Sequence, residues 1–109
     1  MKKRVVLFVL FVILIVGIVV LISLRKSDTD AETAECIGGN STLYIRTGCS
    51  ACRYQEELFG NNFKYLNVVD CAIGPEKCEG IYAVPTWIIN DAQYRGARSI
   101  NTLKELTGC

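Results

Sequence analysis

The sequence predicts an α/β domain built on a central mixed four-stranded sheet with flanking helices, carried behind a single N-terminal transmembrane helix. Three observations predict it. Residues 5–24 (VVLFVLFVILIVGIVVLISL) run for 20 residues without a charge. Beyond them, β-prone runs at residues 41–47 and 63–71 bracket a helix-compatible segment, the pattern of a β-α-β unit with parallel strands and a right-handed crossover. Two further short β-prone runs flank an Asn90-Asp91 turn and lead into a terminal amphipathic helix, which adds an antiparallel hairpin.

The apolar run comes first. At about 1.5 Å per residue, a helix of its length spans roughly 30 Å, the thickness of a bilayer core. A cleavable signal peptide has a shorter apolar region, of about 7–15 residues, followed by small residues at a cleavage site. Leu24, Arg25 and Lys26 make no such site, so the run reads as an uncleaved anchor. Lys2, Lys3 and Arg4 precede it, whereas Arg25 and Lys26 are soon followed by Asp28, Asp30, Glu32 and Glu35. The positive-inside rule then makes residues 1–4 a cytoplasmic flank and sends the domain to the extracytoplasmic side. Residues 25–40 are polar, acidic and Gly-ended, and read as a linker without packed structure. Residues 41–109 form the domain.

Its elements follow in order. Tyr44 and Ile45 mark the first strand, residues 41–47, and Gly48 breaks it. Residues 50–60 read as a helix closed by Gly60, with turn residues Asn61 and Asn62 after it. Phe63, Tyr65, Val68 and Val69 anchor a second strand over 63–71. A looser connection over 72–83 has room for one helical turn from Pro75, since proline suits a first helical position. Residues 86–90 (TWIIN) and 93–95 make the hairpin, and Gly96 ends it. Ser99 is the N-cap of a last helix over 99–106, with Ile100, Leu103 and Leu106 on one face. Trp87, Tyr44, Tyr65 and Phe59 read as core and cleft aromatics.

Composition narrows the chemistry. From Ser27 onward there are seven basic and eleven acidic residues, a net charge of −4. With no basic stripe, nucleic acid is not an expected partner. Histidine is absent, which removes the usual general base and the commonest metal ligand. All six cysteines (Cys36, Cys49, Cys52, Cys71, Cys78 and Cys109) lie after the apolar run, as expected of a domain in an oxidising compartment. A core this small gains from disulfide staples.

Cys49 and Cys52 carry the candidate chemistry. A strand delivers this C-x-x-C to the first turn of a helix, whose unpaired N–H groups and dipole stabilise a thiolate. Two intervening residues bring the sulfurs within reach of a reversible disulfide. Cys49, nearer the helix end, is the expected nucleophile and Cys52 the resolving thiol. Arg46 and Arg53 flank the motif, and a nearby cation favours a thiolate. Two other readings stand beside this one: an inert structural disulfide, and a zinc site formed by Cys49, Cys52, Cys71 and Cys78. The expectation is for no metal and no cofactor. Cys71 and Cys78 suit either a staple or a second redox pair. Cys36 and Cys109 suit a staple, an intermolecular bond or free thiols.

The element order, the C-x-x-C after the first strand, Val84-Pro85-Thr86 before the third and Tyr94-Arg95-Gly96 after it resemble a compact thioredoxin-like domain. Shorter pieces narrow the resemblance: residues 57–60, Val69-Asp70-Cys71, Cys78 with Gly80-Ile81, Pro85-Thr86-Trp87 and the Gly108-ended tail. They are similar to the thioredoxin-like domain fused to, or paired with, bacterial and archaeal homologues of vitamin K epoxide reductase. The resemblance covers roughly residues 42–109. It implies a cis Pro85 facing the redox pair, Val84 and Pro85 as a platform for an extended substrate, and a structural Cys71–Cys78 disulfide. It also implies a protein disulfide oxidoreductase that exchanges disulfides with cysteine-containing exported proteins. In that role Cys49–Cys52 donates disulfides and a membrane partner of the vitamin K epoxide reductase type re-oxidises it. An extracytoplasmic reductase, of the kind serving cytochrome c maturation, is the alternative within the class. A non-enzymatic cysteine-stapled or zinc-binding module is the alternative outside it. The chain departs from thioredoxin itself in three places: Gly48 precedes Cys49, Ser50-Ala51 separates the cysteines, and the first strand carries no carboxylate.

Overall fold

The computed structural model describes residues 1–23 and 29–109. Helix α1 (Lys2–Ser23) is long and apolar enough to cross a membrane, and no residue in it is buried by the protein. A helix satisfies its backbone hydrogen bonds internally, as any membrane-crossing segment must. Leu24 and residues 25–28 of the expected linker lie outside the described residues.

The rest of the expected linker is not a linker. Residues 31–39 form helix α2 (Ala31–Gly39), capped by Asp30, whose side chain accepts from the Thr33 amide at 2.8 Å. Ala34 and Ile37, three positions apart on one helical face, are fully buried. Thr29 is 2 % exposed, and its carbonyl accepts from the Asn62 side chain at 3.0 Å. Gly38 lies against the backbone of Tyr65 and Leu66. A Cβ there would collide with the Tyr65 carbonyl oxygen and come within 3.0 Å of the Leu66 Cα. Residues 29–39 therefore pack as part of the folded domain, ahead of residue 41.

The four strands are β1 (Ser41–Ile45), β2 (Val68–Asp70), β3 (Thr86–Ile89) and β4 (Ala92–Arg95), in the sheet order β2-β1-β3-β4. β1 pairs parallel to β2 and antiparallel to β3, and β3 pairs antiparallel to β4. The sheet is thus mixed, as the sequence predicts. Helix α3 (Ser50–Phe59) connects β1 to β2, and α4 (Ile100–Thr107) closes the chain with Ser99 as its N-cap. The second strand is much shorter than expected. Residues Gly60–Tyr65 form a 3-10 helix instead, which carries Phe63 against the core. Pro75–Cys78 is a second 3-10 turn with proline in its first turn.

One hydrophobic cluster holds these elements together. It combines Ala34 and Ile37 from α2, Leu43 from β1, Phe59 from α3, Trp87 and Ile89 from β3, and Ile100 and Leu103 from α4. Phe59 and Trp87 are both fully buried, with ring centroids 6.1 Å apart in a tilted arrangement. Tyr65, expected among these aromatics, is 37 % exposed at the end of its 3-10 helix.

Candidate functional site

β1 ends at Ile45, and the chain turns into α3 through Arg46, Thr47 and Gly48. Gly48 has φ +87°, in the left-handed region that glycine adopts without a Cβ penalty. The Cys49 amide donates to the Arg46 carbonyl at 3.2 Å and so closes the turn. This leaves Cys49 as the N-cap of α3. Its sulfur does what an N-cap oxygen usually does, accepting from the Cys52 amide at 3.1 Å.

A disulfide joins Cys49 to Cys52, with Cα atoms 5.2 Å apart. The two sulfurs are not equivalent. Cys52 is 4 % exposed, whereas Cys49 is half-buried and faces solvent on one side. The Cys49 sulfur lies 3.8 Å from the Val84 carbonyl oxygen, which brings together residues 35 positions apart. The Val84–Pro85 peptide bond is cis. Pro85 is buried, and its carbonyl accepts from the Gly96 amide at 2.8 Å, tying it to the end of β4.

The other cysteines pair elsewhere. Cys71 and Cys78 form a disulfide with Cα atoms 5.7 Å apart, closing the connection after β2. Cys71 is held beside β1 by its amide, which donates to Ile45 at 2.8 Å. A cavity of about 210 Å³ touches both Cys71 and Val84, so this loop borders the Cys49 site. Cys36 and Cys109 form the third disulfide, with Cα atoms 6.0 Å apart, and join α2 to the residue following the α4 cap. The two cavities beside Cys49 are lined by neither of them. Arg53 lines both Cys49 cavities, and Arg46 lines one of them. Among the described residues no group of three or more His, Cys, Asp or Glu side chains converges to hold a metal ion.

Three polar residues near the pair were not among the sequence expectations. Gln55 is fully buried. Its side-chain oxygen accepts from the Trp87 indole at 3.0 Å and from the Arg98 amide at 2.7 Å, and its nitrogen donates to the Arg98 carbonyl at 3.0 Å. One amide thus locks α3, just past Cys52, to β3 and to the segment leading into α4. The available signal was a polar residue three positions from Cys52, on the inward face of the helix. Asp70, at the end of β2, accepts from the Thr47 hydroxyl and amide and from the Ala72 amide. The Thr47 hydroxyl bond, then the Ala72 amide, hold the Asp70 carboxyl below its ordinary value, with the Arg46 charge a smaller contributor. Asp70 therefore pins the turn before Cys49 to the turn that begins the Cys71–Cys78 loop. Glu56 is the third; it lines a cavity of about 260 Å³ together with Cys49, Cys52 and Asp70.

The arrangement suits reversible opening. Once the disulfide is reduced, the Cys52 amide and the α3 terminus face the Cys49 sulfur, and both favour a thiolate there. The buried Cys52 stays one turn away, in position to close the bond again. No protein-family model matches the chain.

Proposed function

We propose that this protein is a membrane-anchored thiol–disulfide oxidoreductase with a thioredoxin-like fold, acting on the extracytoplasmic side. One observation carries the reading above the rest. The disulfide at the N-cap of α3 has one half-exposed sulfur, and that sulfur sits beside the Val84 carbonyl next to a cis proline. The Val84 backbone next to that sulfur is an edge on which an extended substrate chain can lie while its cysteine reaches Cys49. Exported proteins with cysteines are the substrates, and Cys49–Cys52 acts as disulfide donor. A membrane partner resembling vitamin K epoxide reductase takes the electrons. The sheet order β2-β1-β3-β4, with α3 crossing between the parallel pair, supports the fold assignment.

The exchange is written in two steps. A substrate thiolate attacks the Cys49 sulfur, and Cys52 leaves. A second substrate thiolate then displaces Cys49, so the substrate is oxidised and the pair reduced by two electrons. The test is Cys52→Ser expressed in cells. It should accumulate mixed disulfides through Cys49, read by non-reducing gels and mass spectrometry, and Cys49→Ser should accumulate none. Equal yields from both variants would remove the basis for the reading.

A further inference from the structure

The exchange cycle leaves one proton without a named acceptor. When the reduced pair is re-oxidised, the Cys49 thiolate attacks the partner disulfide and forms a mixed disulfide. Cys52 must then lose its proton before it can attack the Cys49 sulfur. A thiol is mostly protonated at neutral pH, and burial favours the neutral form. Cys52 is buried, and the chain has no histidine to take the proton.

The surroundings of Cys52 narrow the choice. The cavity it lines is shared by Arg46 from the turn after β1, Arg53 and Glu56 from α3, Asp70 from β2, and Cys49. The two arginines carry no basic site at working pH. Asp70 already accepts from three donors, which hold it as a carboxylate with little appetite for a proton. Glu57 lies on the other side of the motif, in the cavity with Cys49 and Tyr54 but not Cys52. Glu56 stands four positions after Cys52, where an α-helix stacks one side chain over the other.

We propose that Glu56 is the proton acceptor for Cys52 in the step that closes the Cys49–Cys52 bond. The inference rests on the exchange reading above. In that step the Cys52 proton passes to the Glu56 carboxylate and the Cys52 sulfur attacks Cys49. The bond between Cys49 and the partner sulfur breaks, and the partner leaves as a thiolate. The pair is oxidised by two electrons and the partner disulfide reduced. Glu56 then returns its proton to water through the open cavity.

The experiment uses the full chain in detergent micelles, reduced and mixed with oxidised glutathione. Acid quenching and mass spectrometry follow the glutathione adduct on Cys49 and then the closed disulfide. Glu56→Gln should slow closure about 100-fold between pH 6 and 7. The loss should shrink above about pH 8.5, where the thiol ionises unaided. Adduct formation should change far less, and Glu56→Asp, which keeps the carboxylate, should restore part of the closure rate. A Glu56→Gln closure profile matching the wild type would overturn the proposal, as would the same pH-dependent loss of closure appearing in Asp70→Asn instead of Glu56→Gln. A wild-type chain that forms no adduct at all would instead sink the exchange reading, and this proposal with it.

Discussion

The two ends of this domain spend the same covalent bond differently. At one end, Cys49–Cys52 spans three positions at the cap of α3, with one sulfur half-exposed beside Val84. At the other, Cys36–Cys109 spans 73 positions and ties α2 to the residue after the α4 cap. A cross-link stabilises mainly by restricting the unfolded chain, so its contribution grows with the loop it closes. The long loop therefore carries more of the stability than the short one. What separates them is position: a helix N-terminus and an open cavity on one side, packed helices on the other.

The sharpest way to break this comparison is to remove each bond in turn. The double variant Cys36→Ser with Cys109→Ser should lose about 4 kcal/mol of stability, a large share of what a domain this size has. Cys49→Ser with Cys52→Ser should lose roughly half of that or less, since its loop is the shortest. Denaturant unfolding under oxidising conditions measures both, and equal losses would contradict the division of labour. A smaller effect is expected where α2 seats on the 3-10 helix. Gly38→Ala forces a methyl group into the Tyr65 backbone, and overpacking of this kind costs about 1–3 kcal/mol. The expected result is lower stability with unchanged alkylation of the reduced Cys49.

The smallest effect belongs to the Cys49 end. Asp70 has its carboxyl pKa lowered in the folded state, so it adds stability above the unfolded carboxylate value of about 3.9. That stability is lost as pH falls through the lower folded value. Asp70→Asn should therefore be slightly less stable than wild type at neutral pH, with the gap closing in acid. Thermal melts at pH 7 and pH 3 check this, and a gap that widens in acid would mean that Thr47 is held in some other way.

Most of the sheet was legible because strands announce themselves by composition and punctuation. Tyr44 and Ile45 before Gly48, and TWII before Asn90-Asp91, mark β1 and β3 with little ambiguity. Both asparagine and aspartate of that turn have positive φ, which these two residues tolerate better than most. The helix before residue 41 is hard to see in the sequence because it is short, and only Ala34 and Ile37 within it are buried. Asp30 as cap was the one signal available, and it gains meaning only once Cys36 is seen to bond with Cys109. Phe63 and Tyr65 suggested a strand by propensity, but Gly60 allowed a tight 3-10 path that seats Phe63 on the core. In the candidate site, the pairing of Cys49 with Cys52 could be read from spacing alone. Asp70 could not, because its contacts depend on β2 lying beside the turn after β1, and Gln55 shows only its helical spacing from Cys52, its partners being on β3 and the segment before α4.

The central claim is that one disulfide of three is built to open. The direct measurement is equilibrium of the full chain with glutathione and dithiothreitol buffers of graded potential, with each disulfide followed by mass spectrometry. The account predicts that Cys49–Cys52 titrates separately, within about −270 to −120 mV, while Cys36–Cys109 and Cys71–Cys78 stay oxidised until below about −300 mV. A Cys49–Cys52 bond that resists reduction down to the same potential as the other two would contradict it.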